Sequence, residues 1–351
     1  MIQPYDLSLD ELRKYKPALT RQPDFLEFWE SNRKELAKVP LKYELEPYDY
    51  PAKGVKVSRV TFTGFMGASI DGWFAVPDAP GKYPGLVLYH GYNWAFDGCI
   101  HEVVDMALHG YAVLQMLVRG QHGRSVDNTV SSLGHVAGWM TKGILSREEY
   151  YYRAVYMDSV RALEVLADMD CVDDGRIGVT GGSQGGALTL VSAALSDIPA
   201  VAVASYPYLC NFDRAIDIAP SSPYGELNEF FRRYSDPAVE EQARKTLTYF
   251  DVMNLAPEIK CPVLVATGLV DEVTPPSTVF AAYNHMTCPK EIAVYRYFGH
   301  EFIPGFVEKK LRMLMKYLQD QELDDAYNFN DQAGGIQNLP DRSYRYSAVS
   351  V

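Results

Sequence analysis

Apolar and polar positions are arranged along this chain in blocks, and the rhythm of the blocks changes near residue 84. Before that point the pattern is mixed, and the first fifty residues read as helical and then extended. Pro23-Asp-Phe-Leu-Glu-Phe-Trp-Glu opens a helix with proline near its start, and Phe25, Phe28 and Trp29 are available for one face. Residues 55–64 and 69–76 read as paired antiparallel strands, turned at Met66-Gly-Ala and closed by Asp71-Gly-Trp-Phe-Ala-Val-Pro. From Pro84 onward, short apolar runs recur at 85–90, 111–118, 176–180, 200–206, 261–267 and 291–298, with helical or irregular segments between them. Such runs suit strands buried on both faces, so the alternation predicts a largely parallel sheet flanked by helices.

Three stretches stand apart from that rhythm. A long tyrosine-rich helix is expected after Ser146, beginning Arg147-Glu-Glu-Tyr-Tyr-Tyr, and a late helix from about Pro304 to Leu318. Residues 208–255 combine Pro220, Pro223 and Pro237 with Tyr224, Phe230, Phe231, Tyr234, Tyr249 and Phe250. This is too apolar for a linker and reads as a helical cap inserted over the carboxyl edge of the sheet. The main domain is thus expected over residues 1–320, with an N-terminal extension included. Residues 321–351 form a tail with little periodicity, expected to be disordered or docked on this subunit or a neighbour.

Composition narrows the class. The 351 residues are 47% hydrophobic and 22% charged, which is ordinary for a globular protein. A net charge of −12 argues against a nucleic-acid binder and gives no pull toward acidic lipids. The polar opening Met1-Ile-Gln-Pro-Tyr-Asp lacks the core of a signal peptide, and no run of eighteen apolar residues appears. A cytoplasmic location is the simplest expectation. The five cysteines, Cys99, Cys171, Cys210, Cys261 and Cys288, are odd in number and widely spaced. They suggest neither a disulfide framework nor a zinc site, and most are expected in the core.

The chemistry is concentrated in Arg176-Ile-Gly-Val-Thr-Gly-Gly-Ser-Gln-Gly-Gly-Ala. It reads as a buried strand, a tight turn carrying Ser183, and then a helix. A serine on such an elbow stands clear of the sheet, and Gly181 and Gly185 relieve crowding around the bend. A serine hydroxyl needs a base beside it. Of seven histidines, His300 follows a strand through Gly299, where it can face the active edge. Asp271 follows the strand Pro262-Val-Leu-Val-Ala-Thr-Gly-Leu-Val and suits the acid that orients the imidazole, although Glu272 is its neighbour. The order Ser183, Asp271, His300 is that of the α/β-hydrolase triad. An oxyanion hole would come from the backbone N–H groups of Gln184 and Tyr92, the latter in the loop His90-Gly-Tyr-Asn-Trp. His90 is read as a loop-shaping residue. Nothing in these steps requires a metal or organic cofactor.

At these residues the chain resembles the acetyl xylan esterase and cephalosporin-C deacetylase group, carbohydrate esterase family 7. Arg119-Gly120-Gln121, Gly181-Gly-Ser183-Gln184-Gly185-Gly186 and His300-Glu301 match its distinctive pieces in order. Asp24-Phe-Leu-Glu-Phe-Trp, Tyr208-Leu-Cys-Asn-Phe-Asp-Arg-Ala and Asp271-Glu-Val-Thr-Pro-Pro-Ser-Thr-Val-Phe extend the likeness over residues 5–320. The resemblance implies an α/β-hydrolase fold with Ser183 as nucleophile, Asp271 as acid, His300 as base, and Tyr92 and Gln184 as oxyanion donors. Arg119, Gln121 and Glu301 are then architectural supports. It also implies removal of acetyl groups from xylo-oligosaccharides, other small acetylated sugars and cephalosporin C, in a hexameric ring.

The sequence departs from the family pattern at His122, where glycine is usual, at Thr274, a place often held by cysteine, and in the tail beyond 321. Gly182 fills a variable position of the serine motif. A broader small-acyl carboxylesterase, a peptidase, and a non-catalytic interaction protein on the same fold stay open at this level.

Overall fold

The computed structural model of the chain describes residues 6–94, 100–132, 136–219 and 221–321. Nine strands form one sheet, in the order β1-β2-β3-β5-β4-β6-β7-β8-β9. The first three, β1 (Tyr43–Tyr48), β2 (Val55–Thr63) and β3 (Ser69–Pro77), are antiparallel. From β5 (Ala112–Met116) through β4 (Tyr83–Tyr89), β6 (Val172–Gly182), β7 (Pro199–Ser205), β8 (Val263–Gly268) and β9 (Lys290–Tyr295) every pairing is parallel. The chain therefore has the α/β-hydrolase fold, with a mostly parallel sheet flanked by helices.

Alternation along the strands divides the core into two layers. In β4, Leu86 and Leu88 point to the layer covered by α3 (Ile100–Leu108) and α11 (Phe306–Leu318). Val87 and Tyr89 point to the opposite layer, filled by α2 (Phe25–Ala37), α4 (Tyr151–Ala167) and α5 (Gln184–Leu195). Both faces are apolar because both are covered, which is what continuous runs such as Gly85-Leu-Val-Leu-Tyr express. Two further helices, α1 (Leu9–Leu12) and α10 (Pro276–His285), meet in a small cluster around Leu12 and Phe280.

Several boundaries differ from the sequence expectation. The last strand ends at Tyr295 instead of 298, because the chain turns there to bring residues 296–299 toward His300. α4 starts at Tyr151, after residues 147–150 have passed through a turn closed by Tyr150 N–H to Ser146 O at 2.9 Å. α11 starts at Phe306, after Gly305 at φ +80°. Only Cys210 of the described cysteines is buried; Cys171, Cys261 and Cys288 are half-buried free thiols at the margin of the core. Cys99 and the tail from 322, with Tyr344 and Tyr346, lie outside the described residues.

Between β7 and β8 the chain forms α6 (Phe212–Ile218), α7 (Gly225–Arg233), α8 (Pro237–Phe250) and α9 (Val252–Leu255). The end of α8 enters the main core, where the Phe250 ring meets Trp29 edge-on at 5.4 Å and Tyr150 at 4.8 Å. α7 lies nearer the loop after β4, through Glu226. No described helix is long and apolar enough to cross a membrane.

Candidate active site

Parallel strands deliver their following loops to one edge, and every candidate residue sits there. Ser183 joins β6 to α5 with φ 58° and ψ −119°, a left-handed backbone for a residue with a side chain. Its N–H donates to Ser205 O at 3.0 Å, and its carbonyl accepts from Ala187 and Tyr208 N–H, both at 3.0 Å. The bend needs glycine beside it. A Cβ on Gly185 would lie 1.9 Å from Tyr89 O, and one on Gly181 would lie 2.5 Å from the same atom. At Gly182 an added Cβ would meet the Tyr206 ring at 3.3 Å, a contact a side chain can relieve.

His300 Nε2 is 3.0 Å from Ser183 Oγ, and His300 Nδ1 is 2.9 Å from Asp271 Oδ2. The Tyr206 ring stands edge-on to the imidazole at 4.8 Å. Asp271 is fully buried, whereas Glu272 is exposed. Asp271 Oδ1 accepts the N–H groups of Val273 at 2.9 Å and Thr274 at 2.8 Å. Thr274 Oγ1 donates to Oδ2 at 2.8 Å. These donors hold the carboxylate in one orientation, with Oδ2 toward the imidazole. Glu301 does not reach His300 through a hydrogen bond; its Oε1 accepts the Gly299 N–H at 3.0 Å and closes the loop before the histidine.

The two N–H groups expected to receive an oxyanion, those of Tyr92 and Gln184, belong to the loop after β4 and the first residue of α5. Gln184 is the first residue of its helix, where the backbone N–H has no intrahelical acceptor. His90 is buried, with Nδ1 2.7 Å from Gly91 O and Nε2 accepting the Val118 N–H at 2.9 Å. That pattern requires the neutral ring with its proton on Nδ1, and burial lowers its pKa to about 4. His90 thus pins its loop to the end of β5. Asn93 continues the tie: its N–H donates to Gln121 Oε1 at 3.0 Å, and its Oδ1 accepts the Trp139 indole at 3.0 Å.

Gln121 and Gln184 pair through their amides, with Nε2 to Oε1 distances of 2.8 and 3.0 Å in the two directions. Arg119 is fully buried, and its hydrogen bonds go to neither Ser183 nor His300. Its guanidinium grips Asp158 of α4 in bidentate fashion at 2.6 and 2.8 Å, and donates to Phe65 O at 3.0 Å and Asn128 Oδ1 at 3.1 Å. Asp158, Tyr151 and Tyr152 were not singled out from the sequence. Tyr151 Oη donates to Arg119 O, and Tyr152 Oη to Gln184 Oε1 at 2.9 Å. The available signal was Asp158 itself, an acid within the apolar stretch Val155-Tyr-Met-Asp-Ser-Val. Such an acid needs a buried partner.

Comparison with known proteins agrees with this architecture. Residues 2–320 match the family described as acetyl xylan esterase. An acetyl xylan esterase from a Paenibacillus species is 41% identical, with a TM-score of 0.86, covering 89% of this chain and 100% of that one. Acetyl xylan esterase 1 from a Thermoanaerobacterium species is 33% identical with a TM-score of 0.84, covering 89% of this chain and 99% of that one. Acetyl esterase Axe7A of Xylanibacter ruminicola is 30% identical over 288 residues, which is 79% of this chain but only 63% of that longer relative. With a match running through the sheet and all the strand-end loops described above, the chain belongs to the acetyl xylan esterase family, whose members are carboxylic-ester hydrolases.

Proposed function

We propose that this chain removes acetyl groups from small acetylated sugars such as xylo-oligosaccharides, with Ser183, His300 and Asp271 as its triad. The observation that carries the reading is the unbroken hydrogen-bond line from Ser183 Oγ through His300 to the buried Asp271, at 3.0 and 2.9 Å. His300 Nε2 takes the serine proton as Oγ attacks the acetyl carbonyl, and Asp271 stabilises the imidazolium that forms. The oxygen of the tetrahedral intermediate is received by the N–H groups of Gln184 and Tyr92. Each such donor contributes about 3–4 kcal/mol to the transition state. Collapse releases the sugar hydroxyl, which takes the proton from His300. Water activated by the same ring then attacks the acetyl-serine and frees acetate.

The sugar and the short acyl group come from family membership and from what the relatives are named for. Deacetylation of cephalosporin C and a ring of six subunits belong to the same proposal and rest on the resemblance alone, and a cytoplasmic location is carried with them as the simplest expectation from the sequence. The description of residues 208–255 as a cap belongs to the proposal too; it rests on their aromatic and proline-rich composition and is supported by Glu226 reaching the loop after β4.

Acetate release from para-nitrophenyl acetate and from acetylated xylobiose, compared between the native chain and Ser183→Ala, tests the reading. Serine-dependent release from both, with little release from a butyrate ester, is the expected result. Release from the phenyl ester alone keeps the hydrolase and removes the sugar. Equal release from native and variant chains would overturn the triad.

A further inference from the structure

Glu226 brings a carboxylate from α7 to the loop that follows β4. Tyr92 Oη donates to both carboxylate oxygens, at 2.9 and 3.0 Å. The Met140 N–H reaches Oε2 at 3.1 Å, and Ser222 Oγ reaches Oε1 at 3.3 Å. The Trp139 N–H in turn donates to Tyr92 Oη at 2.6 Å. Gly138 is shaped around the acid: its φ is +107°, and a Cβ there would lie 2.1 Å from the carboxylate. All these partners are neutral donors, and burial raises the pKa of the Glu226 carboxyl. An acid held in this way is costly to bury, so its place in the fold calls for a reason beyond stability.

The reason lies in what Tyr92 does. His90 fixes the start of its loop through Val118, and Asn93, at φ 52°, fixes the end through Gln121 and Trp139. Tyr92 stands between these anchors, and its side chain ends on Glu226. A phenol held at its far end restricts both torsions of the side chain and with them the placement of the Cα and N–H. We propose that Glu226 is a positioning residue that sets the second oxyanion donor by holding Tyr92 Oη, so that the inserted helices control the geometry of acyl transfer. The inference rests on the assignment of the Tyr92 N–H to the oxyanion hole.

Four proteins test it: Glu226→Leu, Glu226→Gln, Tyr92→Phe and the double variant Tyr92→Phe/Glu226→Leu. The readouts are kcat and KM on para-nitrophenyl acetate, and inhibition by a trifluoromethyl ketone. That ketone adds Ser183 Oγ across its carbonyl, passes the serine proton to His300 and leaves a charged oxygen where the intermediate would place it. Misplacing one donor predicts a fall in kcat of roughly 10–100-fold for Glu226→Leu, with the ketone weakened by a similar factor. KM is expected to stay within about threefold, since binding of the ground state does not use the oxyanion contact. Glutamine keeps an acceptor for Tyr92 Oη and should restore kcat to within about fivefold of the native value. The double variant should lose no more than the worse single variant, because both break one bond.

A folded Glu226→Leu chain with native kcat would overturn the proposal. So would multiplicative losses in the double variant, a defect confined to KM, or a glutamine variant as slow as leucine, which would make the charge itself the working feature. Should Glu226→Leu fail to fold, Tyr92→Phe breaks the same contact from the other side, and native kcat in that variant is an equally fatal result. Failure of the underlying esterase reading, in which Ser183 is the nucleophile, is separate: the ketone would then bind the native chain no more tightly than it binds Ser183→Ala.

Discussion

Replacing Arg119 by methionine should destabilise the fold much more than it slows the chemistry. The guanidinium makes four hydrogen bonds with none of its surface exposed, two of them to Asp158. With methionine in place, Asp158 would stay buried and keep the Phe65 N–H at 2.8 Å, but lose its paired cation. Removing one partner of a buried ion pair costs about 3–5 kcal/mol, because the other charge is left uncompensated. Changing both, as Arg119→Met/Asp158→Leu, removes that charge and leaves the Phe65 N–H and C=O without these side-chain partners, for roughly 1–3 kcal/mol. The double variant should therefore be more stable than the single. Urea titrations at pH 7 read both numbers. The pH dependence gives a second check. Burial already raises the Asp158 carboxyl above its ordinary value despite Arg119, and removal of the cation raises it further. A carboxyl raised in the folded state binds protons more readily there than in the unfolded chain, so the deficit of Arg119→Met should shrink as pH falls from 7 toward 5. Meanwhile the Gln121–Gln184 amide pair and the bond from Tyr151 to the Arg119 carbonyl do not involve the guanidinium. The turnover of the folded fraction should fall by less than about tenfold, against the 10²–10³ expected for a lost oxyanion donor. A single variant losing under about 1 kcal/mol, or a double variant equal to the sum of the two singles, would refute the reasoning.

Other outcomes follow from the same geometry. Asp271→Asn should lower kcat on para-nitrophenyl acetate by about 10⁴-fold by favouring the wrong imidazole tautomer, while steady-state KM changes little. Gly185→Ala should prevent stable folding, since its Cβ would meet a backbone carbonyl at 1.9 Å, whereas Gly182→Ala meets only the Tyr206 ring at 3.3 Å. Thermal melts of the two variants distinguish these cases. His90 has its pKa lowered to about 4 by burial, so the unfolded chain binds the proton first as pH falls. Its contribution is present above about 6.5 and is lost between there and 4, up to roughly 3 kcal/mol. Asp251, buried and raised to about 7, acts with the opposite sign over much of that window. The quantity to measure is therefore the stability difference between the native chain and His90→Asn from pH 7 to 4, which should narrow steadily as pH falls.

What the sequence revealed and what it hid divide along the range of the interactions. The Ser183 elbow was legible because strand, glycine turn and helix are consecutive, and each glycine answers to an atom a few residues or one strand away. The parallel sheet was legible because both of its faces are covered. Strand β1 was read only as extended chain, since it is an edge strand with five of its six residues exposed and carries no apolar rhythm. Glu272 stayed as a rival beside the favoured Asp271 for a different reason. Adjacent acids on one loop are alike in type, and only the turn that aims one of them at His300 separates them. Glu226, Tyr151 and Asp158 escaped notice because their partners lie 134, 32 and 39 residues away. A tyrosine-rich helix looks like core packing until its hydroxyls are traced.

Tracing them gives α4 a specific task. Tyr151 and Asp158 are seven residues apart, close to two turns and therefore on one face of the helix. They hold the two ends of the same residue: Tyr151 takes the backbone carbonyl of Arg119, and Asp158 takes its guanidinium. Neighbouring Tyr152 points to a different target, the side chain of Gln184. One helix thus sets the loop after β5 against the start of α5, and Gln121, two residues past Arg119, completes the link through its amide pair with Gln184. An Arg119→Lys change keeps the charge but cannot reproduce the bidentate grip on Asp158, so it should behave as a weakened arginine and not as a conservative replacement. The same reasoning locates a place where the fold does not tolerate change. A deletion within α4 between Tyr151 and Asp158 would rotate one relative to the other by about 100° and release one end of Arg119. The site depends on the phase of this helix as much as on the three residues proposed to react.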